Sequence, residues 1–215
     1  MGFAEVCMFL LRKPSDLQIR AFITAQQQSD YSYSPLGVTR DSSASSDYTV
    51  DHNRVQLGSG AQCFDAAVRA IRQWKMFDLG WVELFSDRTP IEKGSTVAVV
   101  VRHLGFWSMN ACRIVYVVEE HGRLERYGFA YGTLAEHAER GEERFMVEWD
   151  HDDDGVWYDL LAFSKPGAMA RLGYPYTRRM QKKFAQDSKQ AMQRAVVTKD
   201  DPAQDVLAGV LEWKR

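Results

Sequence analysis

The densest polar cluster in the chain is His137-Ala138-Glu139-Arg140-Gly141-Glu142-Glu143-Arg144, set directly before an aromatic run. If it enters a strand, His137 and Glu139 share a face, because extended backbone alternates its side chains. One imidazole with a carboxylate can form an acid–base pair or part of a metal site, and Glu143 is the third candidate in this group. A metal site needs three or four ligands, so the competing reading is a charged hairpin shoulder with Glu and Arg paired across strands. His103 closes an apolar run, either as a satisfied strand-end histidine or as a polar group at a pocket. Arg113 lies mid-run between Cys112 and Ile114. Facing a cavity it would grip a carboxylate or phosphate with its fork; facing out it is a solvated arginine or half of an ion pair. Trp107, Trp149, Trp157, Tyr116, Tyr127 and Tyr131 gather in the same half of the sequence. Aromatic walls with a few polar groups describe a small-molecule pocket, and equally a large core.

Three further patterns carry less. Asp51-His52-Asn53-Arg54 puts Asp and His side by side, but adjacent strand residues point opposite ways, and the chain lacks a Gly-x-Ser-x-Gly elbow. Ser59, between Gly58 and Gly60 ahead of a helical pattern, reads as a helix cap rather than an anion site. Asp150-His151-Asp152-Asp153-Asp154-Gly155 resembles the start of a calcium loop. Its twelfth position is Leu161, where a bidentate Glu is needed, so a polar hairpin turn is the better reading. No metal set and no cofactor motif is read from the chain.

The elements that must position these residues follow from periodicity. Ser15 caps a helix that runs to about Gln28, and Phe64, Ala67, Val68, Ile71 and Trp74 mark a second. Asp41 to Asp47 is a Ser-rich polar loop. Strands are expected over Tyr48–Leu57, Trp81–Phe85, Thr96–His103, Ala111–Val118, Tyr127–Tyr131, Arg144–Trp149 and Val156–Phe163, with turns at Gly122 and Gly155. Consecutive strands with tight turns imply an antiparallel meander. A long helix over Pro175–Val197 carries Tyr176, Met180, Phe184, Ala191 and Ala195 as its apolar stripe. A curved sheet with one apolar face needs a cover, and this helix can supply it. The expected class is α+β, a helix-grip arrangement like that of START and Bet v 1-like proteins. Its parts are residues 1–47 as an N-terminal helix and loop packed on the domain, 48–197 as the helix-grip domain, and 198–215 as a tail.

The local motifs resemble a narrower family, the domain of unknown function 1990 proteins. The stretches that carry the resemblance are Asp51-His52-Asn53-Arg54, Met76 to Trp81, Arg102 to Tyr116, Gly128 to Leu134, His137 with Glu139 to Phe145, and Val156 to Asp159. They run in order from about Phe9 to Val196. The resemblance implies the helix-grip fold and, by analogy, an internal ligand cavity. It carries no catalytic residues over.

Composition sets the outer bounds. The chain has 215 residues, 45% hydrophobic and 26% charged, with a formal charge of -2. That permits a sizeable core and gives no bulk basicity for nucleic acid. Three widely spaced cysteines suit a reducing compartment. No apolar run approaches the ~18 residues of a spanning helix. Phe3–Leu11 lacks the basic start of a signal peptide, so a cytoplasmic location is expected. The last helix is locally basic, with Arg178, Arg179, Lys182 and Lys183 as its densest patch. It suits either an acidic body of its own chain or an anionic membrane surface. The leading expectation is a binder of a hydrophobic or amphipathic small molecule, held by His103, Trp107, Arg113, Tyr127, Tyr131, Trp149 and Trp157. The alternatives are an enzyme of cyclase or hydrolase type using His137, Glu139 and Glu143 in that cavity, or an interaction module using the basic helix.

Overall fold

Runs of Val, Tyr and Phe broken by turn residues form strands, because branched and aromatic side chains fit a pleated, half-buried surface. The computed structural model describes residues 9–41, 48–86, 90–135, 137, 139–166 and 174–197. In chain order these residues form β1 (Phe9–Leu10), α1 (Asp16–Gln26), α2 (Val38–Asp41), β2 (Thr49–Ser59) and α3 (Gly60–Arg72). A single 3-10 turn, Lys75–Phe77, leads into β3 (Val82–Phe85), β4 (Thr96–Arg102), β5 (Trp107–Glu120), β6 (Leu124–Thr133), β7 (Glu139–Asp150), β8 (Gly155–Pro166) and α4 (Tyr174–Val196). The Ser-rich segment 42–47, the tail 198–215 and the residues before Phe9 lie outside the described residues.

All eight strands are antiparallel and form one curled sheet in the order β2-β8-β7-β6-β5-β4-β3, with β1 added beside β5. This is the expected meander closed by a long helix, the helix-grip fold. The short β1 and α2 had no signal in the periodicity. Ser15 does cap α1: it accepts from the Gln18 amide while Gln18 Oε1 accepts from the Ser15 amide at 2.9 Å. Ser59 occupies the N-cap position of α3, but its side chain makes no capping hydrogen bond.

The concave face of the sheet holds the main core. α3 brings Phe64, Ala67 and Ile71, the 3-10 turn brings Met76 and Phe77, and α4 brings Ala185, Met192 and Val196 against Phe129, Phe145 and Tyr158. Each fully buried large apolar side chain there contributes about 1.5–3 kcal/mol. α1 packs on the convex face through Ile19, Phe22 and Ile23 against Ala98, Val100 and Met109. The 31–41 segment follows it over the convex face as a strap, with Tyr33 and Val38 on Leu161 and Phe163.

One carboxylate holds that strap. Glu142 of β7, 2% exposed, accepts from the Tyr33 hydroxyl (2.6 Å), the Gly37 amide (2.7 Å), the Thr39 amide (2.9 Å) and the Thr39 hydroxyl. Gly132 on the neighbouring strand leaves the space for Tyr33, since a β-carbon there would lie 2.3 Å from the Tyr33 oxygen. Replacing Glu142 with Ala strands a buried phenol and two buried amides. E142A should lose about 3 kcal/mol of unfolding free energy in a urea titration. A loss within about 0.5 kcal/mol of zero would show that the strap is held by its apolar contacts alone.

Candidate functional site

Alternation along each strand decides what faces the concave side. β2 presents Leu57, Val55, Asn53 and Asp51; β5 presents Ile114, Cys112, Asn110 and Ser108; β6 presents Tyr127, Phe129, Tyr131 and Thr133. β7 presents Trp149, Val147, Phe145, Glu143, Gly141 and Glu139, and β8 presents Val156, Tyr158, Leu160, Ala162 and Ser164. In antiparallel register the large apolar ends of these series coincide, and so do their small or polar ends. α3 seals the apolar end. At the other end the small and polar residues leave a cavity of about 1120 Å³ between the sheet and the first half of α4. Its apolar wall includes Trp81, Val99, Leu160, Met180 and Phe184.

The polar wall is built mainly by β7. Glu139 and Glu143 stand on either side of Gly141, and all three line the cavity. The Tyr131 hydroxyl donates to Glu143 Oε2 (2.8 Å), and the Gln181 amide of α4 donates to Glu139 Oε2 (2.7 Å). Asp51 faces them from β2 and is gripped by Arg178 of α4, whose NH2 lies 2.8 Å from Oδ1. His137 accepts the Glu139 amide at Nδ1 (3.0 Å), which leaves the proton of its neutral ring on Nε2. His103 stacks on Phe106 and joins Ser108 (2.9 Å) to the Tyr176 hydroxyl (3.1 Å), tying the β4–β5 turn to the first turn of α4.

Burial dominates the titration of this wall. It pushes the Glu143 carboxyl up to about 7; the Tyr131 hydrogen bond works against this, and the charges of Glu139 and Asp51 add to it. Burial also raises Glu139, with Gln181 and Arg178 opposing. It pulls His137 down to about 4 and lowers His103. At neutral pH the wall therefore holds neutral imidazoles and a carboxyl poised between its two forms.

Of the residues singled out in the sequence, His103, Tyr131, His137, Glu139 and Glu143 line the cavity. The others do not, for two reasons. Tyr127 and Trp149 face the concave side but lie in the half filled by α3, where Trp149 packs 5.8 Å from Phe64 and Arg72 covers the Tyr127 ring. Trp107, Arg113 and Trp157 have the opposite parity and sit on the convex face. Lys13 lies over Trp107 and Arg54 over Trp157. Arg113 donates to the carbonyls of Gln26 and Gln27 (both 2.9 Å), fastening the end of α1. Tyr116 also points outward, because a bulge between Ile114 and Tyr116 reverses the alternation of β5.

Asp51, Asn110 and Gln181 are cavity residues that the sequence did not mark as such, and Arg178 holds Asp51. Asp51 turns to Arg178, while His52 pairs with Asp159 on the convex face at 2.6 Å. The Asp150–Gly155 run is a hairpin turn pinned internally, with the Gly155 amide on Asp153 Oδ1 (2.8 Å) and Trp149 Nε1 on Asp154 Oδ1 (2.9 Å). Among the described residues no three His, Cys, Asp or Glu side chains are grouped to hold a metal ion. No described helix is long and apolar enough to cross a membrane. The basic patch divides: Arg178 turns inward to Asp51, Lys183 pairs with Asp187 on its own helix, and Arg179 and Lys182 are exposed.

Residues 32–191 match the family model described as Domain of unknown function (DUF1990). A UPF0548 protein of Dictyostelium discoideum is 41% identical over 208 residues, covering 88% of this chain and 96% of that protein. One from Deinococcus radiodurans is 36% identical over 198 residues, covering 87% and 92%. Among solved structures, a hypothetical protein of Helicobacter pylori superposes with a TM-score of 0.50 at 11% identity, over 79% of this chain and 99% of that one. At that identity the likeness concerns the fold alone.

The shifted groups fix a pH dependence. Glu143 binds its proton more tightly when folded, so its contribution to stability falls as pH rises from 4.5 toward 7 and stays low above. His137 acts in the opposite sense, losing stability as pH falls from 6.5 toward 4. The two offset each other in the overlap, so the Glu143 effect is read by difference. The stability of E143Q relative to wild type should improve by on the order of 2 kcal/mol between about pH 5 and about pH 8. A difference independent of pH would mean that Glu143 does not titrate in this window.

Proposed function

The chain belongs to the DUF1990 family, and from the geometry of its cavity we propose that it binds an amphipathic small molecule between the concave sheet and α4. The single observation that carries this reading is the cavity of about 1120 Å³, apolar along Trp81, Val99, Leu160 and Phe184 and polar at Tyr131, Glu139 and Glu143. That volume lies somewhat above the ~300–1,000 Å³ range of common ligand sites, and the mixture of a broad apolar wall with few polar groups is the usual one. The apolar body of the ligand would lie against α4 and β4, and its polar end against β7. The free thiols of Cys63 and Cys112 support a reducing, cytoplasmic setting.

A second reading is acid–base chemistry on the enclosed molecule. It is favoured by Glu143, whose carboxyl is held near neutrality beside the Tyr131 hydroxyl. In that reading wild type converts the ligand extracted from the purified protein, while E143Q binds it unchanged.

The binding reading is tested with Nile red, a neutral dye whose emission rises in apolar surroundings, and by native mass spectrometry of freshly purified protein. Ala162 sits on the cavity wall in β8, and Trp in its place fills the space beside Leu160. Wild type should bind the dye with micromolar affinity, and A162W should bind at least about tenfold more weakly while keeping its circular dichroism. Equal binding by the two proteins, or no binding by either, would overturn the cavity as a ligand site.

A further inference from the structure

We propose that the molecule bound in the cavity carries a basic nitrogen, held as an ammonium between Glu139 and Glu143 over Gly141. The inference rests on the ligand-binding reading and names the chemistry of the ligand's polar end. Three observations carry it.

The first is shape. Glu139, Gly141 and Glu143 occupy one face of β7 and line the cavity; the close approach of the Phe163 and Ser164 backbone requires the glycine, so no side chain stands between the two carboxylates. The space between them opens into the largely apolar cavity under α4.

The second is unused acceptor capacity. A carboxylate can accept about four hydrogen bonds. Glu143 accepts one from a side chain, the Tyr131 hydroxyl, and Glu139 accepts one, the Gln181 amide. Oε1 of each has no donor among the described residues, and neither forms an ion pair there. On the opposite face of the same strand, Glu142 accepts four donors. The fold thus saturates the structural carboxylate of this strand and leaves its two cavity carboxylates open.

The third is charge. The titratable groups around Glu143 and Glu139 are Asp51 and His52 on β2, His103 at the β4–β5 turn, Cys112 on β5, Tyr131 on β6, His137 before β7, Arg140 and Glu142 on β7, Tyr158 on β8, and Arg178 and Lys182 on α4. Arg178 is engaged by Asp51 in a two-pronged pair, and Arg140 and Lys182 are exposed. The imidazoles of His103 and His137 are neutral, and His52 pairs with Asp159 on the convex face. Glu142 is saturated by the strap. That leaves Asp51, Glu139 and Glu143 facing the guanidinium of Arg178, an imbalance that a cationic head group corrects and an anionic one worsens.

The test uses the full chain and three probes with one tail: decylammonium, decan-1-ol and decanoate, each below its micelle concentration, followed by titration calorimetry. At about pH 8, decylammonium should bind about tenfold or more tightly than decan-1-ol, and decanoate most weakly. The ammonium preference should shrink at about pH 5.5, where Glu143 takes up its proton while the amine stays charged. E143Q should remove most of the preference while keeping its circular dichroism, which reports an intact fold. E139Q provides the second, independent variant. Equal binding of all three probes, or tightest binding of decanoate, would overturn the ammonium site and leave the cavity reading standing. Failure of all three to bind would overturn both.

Discussion

Two consecutive glutamates in β7 point to opposite faces of one sheet, and the molecule is organised around that separation. Glu142 goes to the convex side, where the strap supplies it with four hydrogen-bond donors. Glu143 goes to the concave side, where a single phenol meets it. The first is a fully satisfied buried carboxylate that fixes the 31–41 strap, including the short α2. The second has one donor, and burial lifts its carboxyl toward neutrality, with Glu139 and Asp51 adding to the rise. A one-residue slip of β7 would exchange the two environments, leaving the strap without its anchor and the cavity without its acid. Register is therefore fixed by polar requirements on both faces, in addition to the apolar pattern of Phe145 and Val147.

The cavity exists because the concave face is graded. Toward one end the edge strand β2 and the central strands each supply a large apolar group: Leu57, Ile114, Phe129, Phe145 and Tyr158. Toward the other end the same strands supply Asp51, Asn110, Thr133, Gly141 and Ala162. α3 and the 3-10 turn fill the first end with Phe64, Ile71 and Phe77. α4 spans both, with Ala185 and Met192 in the packed core while Met180 and Gln181 roof the open half. One helix thus serves as core element at its C-terminal end and as lid at its N-terminal end. Its inward arginine, Arg178, is anchored to the sheet edge at Asp51.

The same grading explains what could be read without a structure. Strand and helix positions follow from local periodicity, so the meander, the capped α1 and the long α4 were legible, as were the shared faces of Tyr127, Phe129 and Tyr131. The site was legible only in part. In an antiparallel meander the polar end of one strand lies near its start and that of the next near its finish, so Asp51, Asn110 and Glu143 near strand starts join Thr133 and Ala162 near strand ends around one cavity only once registers are known. Parity alone would have set Trp107, Arg113 and Trp157 apart from His103 and Tyr131, given the direction of one strand. The bulge in β5, which sends Tyr116 outward, has no signature in its own residues. Tyr127 and Trp149 had the right face and the wrong half, a distinction that depends on where α3 lies.

The packed half and the open half also divide the physical tasks. Aromatic contacts such as Phe129–Phe145 at 5.3 Å and Phe77–Phe145 at 5.4 Å give the sheet a rigid floor that ends at Phe145, two residues from Glu143. Positioning an acceptor on a strand whose next inward side chain is locked in a core holds it more tightly than a loop could. That rigidity has a cost, since a buried carboxyl with one donor destabilises the empty protein above neutral pH. Proteins keep such groups where the local penalty is offset by something bound, and they lose them where hydrophobic packing would serve as well. Phe145, the next residue on the same face, lies in the aromatic core, so an apolar side chain at position 143 would extend that core. In the proposed ammonium site the bound cation is what offsets the penalty of that glutamate.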